Sequence, residues 1–76
     1  MPILRAVRID GKKLRRVRRR RLMSREELAQ RAEMHRDSIG RLERDEVDTP
    51  RIGTIRTLAG ILEVEPDEIL ADEDAD

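Results

Sequence analysis

Arg36, Asp37, Gly40 and Arg41 occur as two adjacent pairs one helical turn apart, around Ile39 and Leu42. An arginine guanidinium can donate two hydrogen bonds to guanine O6 and N7, and an aspartate can accept one from the cytosine amino group. A helix with such groups outside and apolar ones inside is suited to lie in a groove, and the major groove of duplex DNA admits it. The surrounding run, MSREELAQRAEMHRDSIGRLE from Met23 to Glu43, reads as two short helices joined by a tight turn. The second of them starts at Arg36-Asp37-Ser38.

The elements that must position this run can be read from caps and apolar spacing. Met1 to Ile9 alternates weakly, with Ile3, Val7 and Ile9 apolar, and fits an extended arm or short strand. A lone strand finds no partner in an otherwise helical chain, so the arm is either disordered or paired with its copy across a two-fold axis. Asp10 is a candidate N-cap for a first helix from Gly11 to about Arg21, with Leu14 and Val17 inward. Ser24 and Glu27 form a capping box for a second helix whose apolar stripe is Leu28, Ala29 and Ala32. Met34 packs inward at the turn, and a third helix from about Arg36 to Arg44 buries Ile39 and Leu42.

After a polar loop ending at Pro50, Ile52, Ile55, Leu58, Ala59 and Leu62 mark a fourth helix. Pro66, followed by Asp67 and Glu68, starts a short fifth helix ending near Leu70. The chain therefore divides into an arm (1–10), one all-α domain (11–70) and an acidic tail (71–76), expected to be disordered.

Composition narrows the chemistry. Seventy-six residues make one small domain. The absence of cysteine excludes a disulfide framework and thiolate metal sites, and the absence of aromatics leaves an aliphatic core. It also argues against modules that stack single-stranded bases on aromatic rings. With no apolar run of membrane-spanning length and no signal-peptide core, the expectation is a cytoplasmic, nucleoid-associated protein.

The zero net charge conceals a division: residues 1–44 carry 15 basic and 6 acidic side chains, residues 45–76 only 2 basic and 11 acidic. That is the dipole of a chain with a basic face for a polyanion and an acidic end kept off it. Eight of the ten residues from Lys12 to Arg21 are basic.

The pattern resembles the XRE, or Cro/cI-type, helix-turn-helix family, the lambda-repressor-like DNA-binding domains. The residues that carry the resemblance are Leu14, Val17-Arg18, Ser24, Glu27-Leu28-Ala29, Met34, Ile39, Leu42-Glu43, Pro50, Leu58-Ala59, and Leu62 to Leu70. It implies a compact five-helix fold with a recognition helix starting at Arg36, where Arg36, Asp37, Gly40 and Arg41 face base edges, and so a half-site containing G·C pairs. Asp37 could equally serve the helix dipole. Phosphate contacts would fall to Arg25, Ser38, Arg44 and Arg51. Arg18 and Glu43 match a partly buried ion pair that fixes the recognition helix to the scaffold.

Departures from the family pattern carry information as well. Leu22, Glu33 and Asp45 stand where the family favours glycine, so either the turns differ locally or the domain is strained. His35 replaces the usual hydroxyl cap, as an imperfect cap or a phosphate donor. Gly40 in mid-helix suits close approach to a base edge, and Asp45, Glu46 and Asp48 make the following loop acidic. Of the arginines in the first helix, some would act through their long-range field and others by pairing with the acidic C-terminal segment.

These features imply a bacterial or phage-encoded transcriptional repressor that binds a two-fold symmetric operator as a homodimer. Its dimer contacts would use Ile61, Val64, Ile69 and Leu70. The alternative is an antitoxin-like or phage-encoded protein-interaction module retaining the fold, which salt dependence of binding would distinguish. One histidine, no cysteine and no phosphate loop argue against an enzyme, and no cofactor or metal is expected.

Overall fold

The structure, a computed structural model, describes residues 7–72. Four α-helices, α1 (Gly11–Arg20), α2 (Arg25–Ala32), α3 (Arg36–Glu43) and α4 (Ile52–Leu62), are followed by a single 3-10 turn at Pro66–Glu68. The expected fifth helix is thus only this turn. Ile69 N donates to Pro66 O at 3.0 Å, an i+3 bond, and Leu70 then leaves in extended form.

Side chains cap the starts of α1, α2 and α3, and no side chain caps α4. The Asp10 carboxylate accepts from Lys12 N (2.9 Å) and Lys13 N (3.2 Å), and Asp45 Oδ1 accepts from Gly11 N at 2.8 Å. Ser24 Oγ accepts from Glu27 N at 2.9 Å. The expected capping box is only half made, because the Glu27 carboxylate turns to Arg31 Nη2 at 3.0 Å. His35 Nδ1 accepts from Asp37 N at 3.1 Å, so its imidazole does cap α3.

All four helices end alike. Leu22, Glu33, Asp45 and Glu63 adopt left-handed φ values of 57°, 56°, 58° and 60°. At each, paired hydrogen bonds close the last turn, as in Met34 N to Ala29 O (2.8 Å) with Glu33 N to Gln30 O (3.2 Å). This is the Schellman termination that glycine usually serves. The missing glycines therefore leave the turns unchanged and load the strain onto side-chain-bearing residues, at roughly 1–2 kcal/mol each. Met23, Met34 and Val64, just beyond three of these positions, pack against the core and help hold the turns.

The core is aliphatic, with Leu14, Leu28, Ile39, Leu58, Leu62 and Ile69 fully buried. Ile69 was expected at a dimer interface, but its side chain fills the protomer's own interior. Ile52, expected in the apolar stripe of α4, is 57% exposed because the inward face of that helix begins at Ile55.

The described end of the arm, residues 7–10, also differs from expectation. Ile9 is buried and forms an antiparallel bridge with Leu70, through Asp10 N to Ile69 O (2.9 Å) and Ala71 N to Arg8 O (2.8 Å). Its pairing partner lies within the chain. Ile3 and most of the acidic tail lie outside the described residues.

Candidate nucleic-acid interface

α3 is held by one buried junction. Glu43, on the inner face of α3 with its side chain 1% exposed, accepts from Arg18 Nε at 2.6 Å and Arg18 Nη2 at 3.1 Å. Arg18 Nη1 donates to Met23 O at 2.8 Å, so the guanidinium bridges α1, α3 and the α1–α2 turn. Arg25 Nε adds a third hydrogen bond to Glu43, at 3.0 Å. Burial opposes the charge on Glu43, but the hydrogen bonds from Arg18 and Arg25 outweigh it and hold the carboxyl below the usual carboxylate range.

Gly11 brings the helices close enough for this junction. A Cβ at that position would collide with the Glu43 carbonyl and lie 2.7 Å from Leu42 O. Only a residue without a side chain lets the start of α1 approach the end of α3 so closely.

Outward from this junction, Arg36, Asp37, Gly40 and Arg44 line one groove with Ser24, Arg25 and Glu26 of the α2 start and Arg15 and Arg19 of α1. The face expected to read bases is split. Arg36, Asp37 and Gly40 border this groove, whereas Arg41 is exposed beyond it. Gly40 is buried rather than open, with Arg44 folded over it: a Cβ there would lie 3.0 Å from Arg44 Nη1. Among the described residues, no carboxylate lies within ion-pair distance of Arg36 or Arg41.

The expected phosphate ligands differ in availability. Arg25 shares Glu43 through its Nε and lines the groove. Arg44 is paired with Glu46, Nε to Oε2 at 2.9 Å and Nη2 to Oε1 at 3.3 Å. That contact raises the Arg44 pKa and lowers that of Glu46. Arg51 stands apart at the start of α4, bordering a second groove with Met34, Thr54 and Thr57. Ser38 is half-buried on α3 and borders neither groove. Arg15 and Arg19 were not singled out for this groove from sequence, although their i, i+4 spacing beside Arg18 puts them on its edge.

Four helices, a buried Arg–Glu junction and an outward-facing α3 beside the start of α2 together define a helix-turn-helix domain. The sequence model of the Cro/C1-type HTH DNA-binding domain matches residues 13–75, and the chain belongs to that family. Among solved structures it is similar to the restriction-modification controller protein C.AhdI from Aeromonas hydrophila, at 33% identity over 76% of this chain and 86% of that one, with TM-score 0.71.

The fold is shared with SinR, a master regulator for biofilm formation solved in complex with DNA, at 23% identity over 75% of this chain and 90% of that one, with TM-score 0.70. A hydroxyethylphosphonate dioxygenase also matches, at 28% identity and TM-score 0.74, over 88% of this chain but 14% of the enzyme. No curated protein sequence matches the chain. No helix among the described residues is long and apolar enough to cross a membrane.

Proposed function

We propose that the chain is a transcriptional repressor that binds a two-fold symmetric operator as a homodimer, each protomer laying α3 in a major groove. The observation that carries this reading is the outward face of α3. Its Arg36 and Arg41 are exposed without carboxylate partners among the described residues, while its inner face is locked by Glu43. Free guanidiniums on a fixed helix are suited to bidentate contact with guanine.

In this reading Arg36, Asp37, Gly40 and Arg41 face the bases, and Arg25, Ser38, Arg44 and Arg51 meet phosphates. Arg25 and Arg51, in grooves on either side of the helix-turn-helix, would grip the two strands that flank the major groove. The half-buried Ile61, Val64 and Leu70 form the dimer contact, now without Ile69.

Binding-site selection from random duplex DNA tests the proposal. The expected motif is palindromic, with a G·C pair in each half-site and centres about 34 Å apart. Arg36→Ala should cost about 1–3 kcal/mol of binding and relax preference at one position. A motif without symmetry, or without G·C pairs beneath α3, would overturn it.

A further inference from the structure

The eight cations between Lys12 and Arg21 do not share one role. Arg18 is held by Glu43. Arg21 donates to Leu62 O (2.7 Å) and Glu63 O (3.2 Å), closing the end of α4, and Lys13 Nζ reaches Leu70 O (3.0 Å) and Asp72 Oδ1 (2.8 Å). The remaining five, Lys12, Arg15, Arg16, Arg19 and Arg20, recur at i, i+3 and i+4 and form one exposed stripe along the outer face of α1. They line a shallow groove of their own, which has no acidic side chain in its lining among the described residues. Among the described residues, the one carboxylate contact in the stripe is Arg20 with Glu68, at 3.8 Å.

The stripe is continuous with the candidate interface. Arg15 and Arg19 line both grooves, so arginines lead from Arg36 and Arg25, past Glu26 and Asp37, across the edge of α1 to Lys12, Arg16 and Arg20. Like charges one turn apart repel each other, and a row of them is best satisfied by a row of opposite charges. The stripe offers no apolar anchor, because Leu14 and Val17 point inward; a protein partner would need such an anchor at the centre of its interface. A duplex backbone needs none.

We propose that the α1 stripe is a second contact surface for the same duplex, taking phosphates that flank the half-site and so lengthening the footprint without adding sequence preference. The inference rests on the DNA-binding reading above. From Lys12 to Arg20 the stripe extends on the order of 12 Å, enough to follow three or four base pairs of backbone.

The test uses the full chain and two duplexes carrying the selected site, one ending close to it and one extended by a helical turn on each side. Fluorescence anisotropy is read across a salt series for wild type, for Lys12→Gln/Arg16→Gln/Arg20→Gln and for Arg16→Lys/Arg20→Lys. These positions belong to the stripe and not to the shared groove. Wild type should bind the extended duplex about tenfold more tightly at low salt, with a steeper salt slope.

The glutamine variant should lose that gain, its slope on the extended duplex becoming shallower by about one per contact removed. Its binding to the short duplex, selected motif and melting temperature should stay as in wild type, and the lysine variant should keep most of the gain. Equal binding of both duplexes by wild type would overturn the inference while leaving the functional reading intact. So would a glutamine variant that loses affinity equally on both duplexes, or wild type that prefers poly-glutamate to the flanking duplex. Failure to bind any duplex at low salt would overturn both.

Discussion

α1 and α3 are both short, arginine-bearing helices with an apolar inner face, yet only α1 spends some of its cations on holding the fold together. In α1, Arg18 is buried against Glu43, and Lys13 reaches the Leu70 carbonyl. Just past its end, Arg21 is fastened to the carbonyls of Leu62 and Glu63. In α3, Arg36 and Arg41 meet no carboxylate among the described residues, and the buried charged group is the acid Glu43. Residue type does not separate the two helices. The difference lies in where acceptors stand: Glu43 and the Leu70 carbonyl meet α1 on its packed side, and the outer face of α3 has few. Two helices with different surroundings can therefore be written in nearly the same alphabet.

The comparison breaks most severely at the joint between them. Glu43→Ala leaves the Arg18 guanidinium buried without a counter-charge, and denaturant unfolding should show a loss of about 3–5 kcal/mol. Arg36→Ala, on the exposed side of the same helix, should stay within about 0.5 kcal/mol of wild type in the same assay. Similar losses for both would erase the distinction drawn here.

The joint should also fail in acid. The Glu43 carboxyl is depressed in the folded state, so the folded protein binds fewer protons there than the unfolded chain. Its stabilising contribution is present above the ordinary glutamate value, about 4.3, and is lost as pH falls through the depressed one. Melting temperatures measured from neutral to strongly acidic pH should fall along this limb, and Glu43→Gln should flatten it.

Gly11→Ala tests the approach of the two helices rather than their charges. The added methyl meets the backbone of Glu43 and Leu42, and moving α1 aside should cost about 1–3 kcal/mol by denaturant unfolding. Leu22→Gly should act in the opposite direction. Leu22 is 91% exposed with φ 57°, so its removal sacrifices little packing and relieves the left-handed strain. A gain of about 0.5–1 kcal/mol is expected from the balance of strain relief and glycine's greater chain entropy. The smallest effect is expected of Glu46→Gln, which frees the exposed Arg44 from its carboxylate partner. Duplex affinity at low salt should rise by about two- to fivefold, and by less at high salt.

Much of this arrangement was legible in the sequence, and the parts that were not share a cause. Asp10 and Ser24 announce helix starts through short-range caps, and Leu14, Val17, Leu28, Ile39 and Leu58 announce buried faces through local spacing. The bridge from Ile9 to Leu70 was hidden because it joins opposite ends of the chain through one residue pair, which leaves no periodic signal. Ile69 was assigned outward for a related reason. A single apolar residue in a one-turn element has no face of its own until its neighbours are known. The sorting of the α1 cations was equally invisible, since Arg21 finds its acceptor 41 positions away and Lys13 finds Leu70 57 positions away. The missing glycines left two readings open, altered turns or strain. The second holds, because the backbone keeps its hydrogen bonds and puts Leu22, Glu33 and Asp45 in the left-handed region.

The Ile9–Leu70 bridge also makes the domain nearly circular. Because the pairing is antiparallel, Arg8 lies opposite Ala71, and the two meet at one point of the fold. Force applied through Arg8 and Ala71 would peel this contact one hydrogen bond at a time instead of shearing the helices past each other. A short covalent link across the same point would close the ring with little distortion. New ends opened in the exposed loop at Asp48–Thr49 would then give a permuted chain with the helix-turn-helix left whole.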